Sequence, residues 1–121
     1  MVHLTAMVWP TFRERGGGII VNVSSMASVD PFPGFSIYAA AKTGLNMFTQ
    51  VTADEGKTLG ISAVAVAPGA VETPMLRSLF DEQTIPVENT LPPQRIADVI
   101  CDCITGDRSF ESGETILVKN D

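Results

Sequence analysis

Three side chains have the types and spacing to carry chemistry: Ser25, Tyr38 and Lys42. Tyr38 and Lys42 are four residues apart in Tyr38-Ala-Ala-Ala-Lys42, so on a helix they share one face, a turn apart. An ammonium beside a phenol favours the phenolate, which turns an inert hydroxyl into a usable general acid or base. Ser25 follows a short β-branched run, and the far end of a buried strand is where open α/β sheets place their ligands. There its hydroxyl could hold a carbonyl oxygen against the tyrosine. Each piece alone has a plainer reading: a solvated lysine stacked over a partly packed tyrosine, and a Ser-Ser turn.

The elements that must position these residues follow from the apolar pattern. Met1–Arg15 reads as a helix, with Leu4, Met7, Val8 and Phe12 at three- and four-residue spacing, although Pro10 would break it in the middle. Gly16-Gly17-Gly18 stops that helix and releases Ile19–Val23, which reads as a strand buried on both faces of a parallel sheet. A loop with Pro31, Pro33 and Gly34 leads to Ser36, a candidate cap for a long helix ending near Leu59, with Gly60 as its stop. Ile61–Val66 is a second buried strand, closed by Pro68-Gly69. Met75–Phe80 reads as a short helix in a loop, Pro93–Thr105 as a helix and Thr115–Val118 as a last strand. Strands separated by helices predict an α/β fold with a parallel sheet.

Composition narrows the function classes. The 121 residues suffice for one compact domain, and 45% hydrophobic with 18% charged residues marks a globular chain. A formal net charge of −6, with no cluster of lysines or arginines, argues against nucleic acid as a partner. Runs such as Ile61–Ala67 are too short to cross a bilayer, so no membrane association is expected. The opening Met1–Trp9 lacks the positive start of a signal peptide. Cys101 and Cys103 lie in a helical pattern without a second ligand pair, which reads as two reduced, partly buried thiols and no metal site. The expected location is the cytoplasm.

Order and spacing together change the weight of the individual signals. Gly-Gly-Gly-Ile-Ile-Val-Asn-Val-Ser24-Ser25 is followed thirteen positions later by Tyr38-Ala-Ala-Ala-Lys42-Thr-Gly-Leu-Asn. A strand ending in Ala67-Pro68-Gly69-Ala70-Val71-Glu72-Thr73-Pro74-Met75 comes next. In this the chain closely resembles the short-chain dehydrogenase/reductase family, single-domain type, from about Trp9 to the C-terminus. The resemblance implies the C-terminal half of a doubly wound Rossmann-type parallel sheet. Residues 1–15 would be a helix remnant, 19–67 the catalytic strand–loop–helix–strand, 68–92 the nicotinamide and substrate loop, and 93–121 a terminal helix and strand.

It further implies the site. Tyr38 would give or take the substrate proton, Lys42 would assist it and hydrogen-bond the nicotinamide ribose, and Ser25 would orient the substrate oxygen. Pro68, Gly69, Val71 and Thr73 would join Tyr38 and Lys42 in holding NAD or NADP, with Leu76, Leu79 and Phe80 as an apolar pocket wall. For Thr73-Pro74 the plainer reading is a turn and helix start.

The chain departs from the family at its front. The family opens with a strand, a glycine-rich turn and a helix whose N-terminus takes the pyrophosphate, but here the three glycines precede a strand. The residue that selects NAD over NADP is missing with it, as is an asparagine that would fall before Met1. The Ile19–Val23 strand is therefore expected to keep an unpaired apolar edge, with low stability as a free monomer. The leading expectation is an NAD(P)-dependent oxidoreductase interconverting a carbonyl and an alcohol. The alternative is an inactive interaction module that pairs with itself or with a full-length relative. An epimerase or dehydratase of the extended type is disfavoured by the Pro68-Gly69…Thr73 arrangement.

Overall fold

The structure, a computed structural model, describes residues 1–120. In chain order it contains α1 (Val2–Arg15), β1 (Gly18–Val23), α2 (Ser36–Gly56), β2 (Ile61–Pro68), α3 (Pro74–Leu79), α4 (Pro93–Thr105) and β3 (Thr115–Val118). The three strands form one parallel sheet in the order β1-β2-β3, so the predicted α/β class and parallel pairing hold. The register sets Gly18 against Ile61 and Val23 against Val66, then Ala65 against Thr115 and Pro68 against Val118.

β2 is the centre of the molecule because both its faces are covered, which is why it reads as an unbroken apolar run. Val64 and Val66 pack with Ile116 and Val118 of β3 and with Ile96, Val99 and Cys103 of α4. Those α4 positions recur at three- and four-residue spacing, a single apolar stripe laid on the sheet. The opposite face of β2 presents Ala63, Ala65 and Ala67, all small, beneath α2. The close approach requires a glycine at position 56, where a Cβ would stand 2.6 Å from the Ile61 carbonyl oxygen.

Several sequence expectations need correction. Helix α1 runs unbroken through Pro10. Pro10 and Ala6 are both exposed, so the carbonyl that loses its intrahelical partner stays open to water. The helix ends as expected at Gly16, φ 75°, where the Gly16 and Gly17 amides close back on the Arg13 and Phe12 carbonyls. Ser36 does not cap α2; it is the first helical residue, and Phe35 holds the cap position with no side-chain bond. Strand β1 is not buried on both faces, since only Asn22 is buried along it. It pairs with β2 alone, and α4 reaches across only as far as Val21. Ile19 and Val23 are exposed, which agrees with the unpaired edge expected above. Cys103 is buried and Cys101 exposed, rather than both being partly buried.

Candidate active site

Tyr38, Lys42 and Ser25 gather around the C-terminal end of β1, and a network of short polar bonds explains how. Lys42 projects from the second turn of α2, and its Nζ donates to the Val23 carbonyl at 2.9 Å. The same ammonium lies 5.7 Å from the centroid of the Tyr38 ring. The Ser24 hydroxyl donates to the Lys42 carbonyl at 3.3 Å, so this lysine is tied to the strand end through both side chain and backbone. Tyr38 is 42% exposed.

Ser25 is half-buried and begins the 3-10 turn Met26–Ser28. Its Oγ accepts the Ala27 amide at 3.2 Å, a local cap that orients the side chain. The Ser28 hydroxyl donates to the Ser25 carbonyl at 2.6 Å, and Asn46 Nδ2 donates to Ser28 Oγ at 2.8 Å. One turn further along α2, Thr49 Oγ1 accepts Asn22 Nδ2 at 2.9 Å and donates to the Leu45 carbonyl. Positions 42, 46 and 49 recur at helical spacing, so one face of α2 grips the end of β1 by hydrogen bonds. The sequence reading missed this supporting set, Ser24, Ser28, Asn22, Asn46 and Thr49. Its only signal was small polar residues where an apolar core face was expected.

The end of β2 lies beside this cluster. Pro68 is buried as the last residue of the strand, and the Gly69 amide donates to the Val118 carbonyl at 2.9 Å. A Cβ on Gly69 would lie 3.9 Å from Met26 Cγ, which sets the Pro68-Gly69 turn against the turn that follows Ser25. Val71 makes a parallel bridge to Leu91, joining the two ends of the 72–90 loop. Thr73 caps α3: its Oγ1 accepts the Leu76 amide at 3.1 Å and lies 3.3 Å from the Val71 carbonyl. The plainer reading of Thr73-Pro74, a helix start, is therefore present in the structure.

The loop is braced internally. Arg77 Nε donates to Glu72 Oε1 at 2.7 Å, its Nη2 bonds Glu72 Oε2, and its Nη1 donates to the Ile85 carbonyl at 2.8 Å. Thr90 adds a hydroxyl 3.0 Å from Glu72 Oε2. The Arg77 guanidinium holds the Glu72 carboxyl below its ordinary value against the opposing effect of burial, with Thr90 helping. Bonds from the Thr84 hydroxyl and amide likewise hold the Asp81 carboxyl low.

The brace fixes an aromatic group beside the tyrosine. Phe32-Pro33-Gly34-Phe35 makes a tight turn in which Gly34 takes φ 90° and the Phe35 amide returns to the Phe32 carbonyl at 3.3 Å. That turn brings the Phe32 and Phe35 rings to 4.5 Å. Phe80 stacks on Phe35 at 5.5 Å, and Phe35 meets the Tyr38 ring edge-on at 6.2 Å. Of the three wall candidates, Phe80 thus joins an aromatic cluster near Tyr38, while Leu79 stays exposed. Phe32 and Phe35 were not anticipated; the Pro-Gly pair between them was the available signal.

Among the described residues no group of three or more His, Cys, Asp or Glu side chains could hold a metal ion. No helix there is long and apolar enough to cross a membrane.

The chain is similar to known proteins over nearly its whole length. The human dehydrogenase/reductase SDR family member 4 is 32% identical over 123 residues, covering 95% of this chain and 44% of that protein. Acetoacetyl-CoA reductase from Allochromatium vinosum is 34% identical over 124 residues, covering 97% of this chain and 50% of that one. Among solved structures, a 7α-hydroxysteroid dehydrogenase complexed with NADH and 7-oxo glycochenodeoxycholic acid superposes with a TM-score of 0.89 at 27% identity, over 98% of this chain and 49% of that one. The 3-ketoacyl-(acyl-carrier-protein) reductase of Brucella melitensis, complexed with NADH, gives 0.86 at 28% identity, over 96% of this chain and 50% of that one. The chain therefore spans about half the length of the relatives it matches. The short chain dehydrogenase family model matches residues 1–84, from α1 through the Ser25–Tyr38–Lys42 cluster into the braced loop, and the chain belongs to that family.

Proposed function

We propose that this chain is the C-terminal, catalytic half of an NAD(P)-dependent oxidoreductase that interconverts a carbonyl and an alcohol. The observation that carries the proposal is the anchoring of Lys42 to the Val23 carbonyl at 2.9 Å, with the Tyr38 ring 5.7 Å from its ammonium. An ammonium held beside the Tyr38 ring places a fixed positive charge where Tyr38 would pass a proton to or from a substrate oxygen. Ser25, oriented by its bond from Ala27, supplies a second hydroxyl for that oxygen. During reduction Tyr38 gives its phenolic proton to the carbonyl oxygen as the alcohol forms; oxidation returns it. Lys42 compensates the charge left on the phenolate.

The donor set fits the nicotinamide end of a dinucleotide. An ammonium has three donors, and the Val23 carbonyl takes one, which leaves Lys42 capacity for ribose hydroxyls. Gly69 and Val71 offer backbone groups at the end of β2, and Thr73 a hydroxyl. The bound nicotinamide would supply or accept the hydride. Among the described residues the pyrophosphate end has no counterpart, because Gly16-Gly17-Gly18 closes a helix ahead of β1. That part of the cofactor site would come from a complementary half.

A second reading, an interaction module, is favoured by one observation: Leu4 and Met7 on α1 are 66% and 64% exposed. Leu4 shares a groove with Ile19 and Val21 of β1, and α1 with this edge offers a surface suited to a second copy or a full-length relative.

Calorimetric titration of the chain with NADH and NADPH, followed by turnover of ketone substrates, tests the first reading. Tyr38→Phe is expected to lower turnover by about 10²–10⁴-fold with the fold unchanged by circular dichroism. Equal turnover by the variant would remove Tyr38 from the mechanism.

A further inference from the structure

The aromatic group beside Tyr38 has no role in holding the sheet together. Phe32, 44% exposed, and Phe35 come from the turn ahead of α2, and Phe80 from the end of α3. Three rings from two separate segments converge on one another and on Tyr38, at centroid separations of 4.5 to 6.2 Å. Apolar surface held this close to a proton donor is a contact surface for the body of a substrate.

Apart from Lys42, whose ammonium is engaged by the Val23 carbonyl beside Tyr38, the segments that carry the wall are acidic. The segment ahead of α2 contributes Asp30, and the one after Phe80 contributes Asp81 and Glu82. The cation carried by the loop, Arg77, is already engaged by Glu72 and the Ile85 carbonyl. Asp81 is bonded by the Thr84 amide at 2.8 Å and hydroxyl at 2.7 Å, which stabilises its carboxylate form. An anionic carrier group brought to this rim would meet like charge.

We propose that Phe32, Phe35 and Phe80 form an aromatic wall that selects an uncharged ring ketone or its alcohol over an acyl group carried on an anionic thioester. The proposal rests on the oxidoreductase reading above for what happens to the selected carbonyl. The brace of Glu72 on Arg77 acts through Phe80, by holding the helix that presents it, and is a positioning contact.

The test uses the full chain with ¹³C-labelled phenylalanine and tyrosine rings, observed by NMR while 2-tetralone or acetoacetyl-CoA is added. Because it needs neither cofactor nor turnover, its outcome is separate from that of the oxidoreductase reading. Binding of tetralone without turnover would leave the wall standing whatever becomes of that reading. The expected result is saturable movement of the Phe32, Phe35, Tyr38 and Phe80 resonances by tetralone, and at least about tenfold weaker binding of the thioester. Phe80→Ala should weaken tetralone by about fivefold, and Phe80→Leu, which keeps apolar bulk without the ring, by about threefold. Should the alanine variant fail to fold, the leucine variant decides. Rings unmoved by tetralone, equal or tighter binding of the thioester at the same rings, or tetralone binding unchanged by loss of the Phe80 ring would each overturn the proposal.

Discussion

On the β3 side of the central strand, Val64, Val66, Ile116 and Val118 close against Ile96, Val99 and Cys103 of α4. On the β1 side, α1 runs for fourteen residues without burying one, and β1 leaves Ile19 and Val23 open. The chemistry-bearing residues stand between these regions, at the head of α2 and the end of β1. Their anchors are hydrogen bonds: Lys42 to Val23, Ser24 to Lys42, Asn46 to Ser28 and Asn22 to Thr49. The difference teaches that the site takes its geometry from polar bonds between α2 and the end of β1, not from the apolar packing of either flank. The β1 flank leaves apolar side chains open instead.

The most direct way to break that comparison is to damage each flank equally. Ile116→Ala removes buried side-chain volume from the β3 side and should cost about 2–5 kcal/mol, a large fraction of a small domain's stability. Chemical denaturation would read this as a fall in midpoint with an unchanged slope. If Leu4→Ala on α1 cost as much, the two flanks would not differ in the way described.

A smaller effect is expected where α2 meets β2. Gly56→Ala places a methyl group 2.6 Å from the Ile61 carbonyl oxygen, a backbone atom that cannot rotate away. Overpacking of this kind costs about 1–3 kcal/mol. Because the displaced helix also carries Tyr38 and Lys42, the Tyr38 ring resonances should shift together with the loss of stability. A stability loss with those resonances unmoved would show that the site is insulated from this contact.

Much of this architecture was legible in the sequence. Short apolar runs beside glycine or proline marked the strands, and the helical pattern over Pro93–Thr105 marked α4. The four-residue spacing placed Tyr38 and Lys42 together because helical periodicity is local. What escaped were matters decided by tertiary context. Nothing local distinguishes a strand buried on both faces from one paired along a single edge, so Ile19–Val23 read as fully buried. Ser36 has the right type for a cap, yet Phe35 takes that position because the preceding Pro33-Gly34 turn sets where the helix begins. Thr49 and Asn46 sit on the inner face of α2 because their partners Asn22 and Ser28 are 27 and 18 residues away. No short-range pattern carries that information.

The brace on the 72–90 loop offers a local, pH-dependent counterpart to the global effects. Arg77 holds the Glu72 carboxyl below the ordinary 4.5. A depressed carboxyl contributes stability that is fully present above its unfolded value and is lost as pH falls through the folded one. Amide exchange in residues 72–90 should therefore accelerate on acidification below about pH 4.5, before the core strands respond. Glu72→Gln should remove that pH dependence and leave the loop more open at neutral pH. Identical protection profiles for the two proteins would show that the backbone bridge at Val71 and Leu91 holds the loop without the ion pair.

The smallest effect on stability is expected where the surface is most exposed, and it separates the two functional readings. Met7→Lys on α1 removes no buried contact, so stability should change by less than about 0.5 kcal/mol. If α1 and the open β1 edge are an association surface, the added charge should lower the mass measured by light scattering at a fixed chain concentration. The bonds around Lys42 and Ser25 lie on α2 and the end of β1, so the Tyr38 resonances should stay where they are. A monomeric variant with an unaltered Tyr38 environment would place association and chemistry on separate parts of the chain. If the Tyr38 resonances moved with the loss of association, α1 would be part of what holds the site, and the comparison between the flanks would fail.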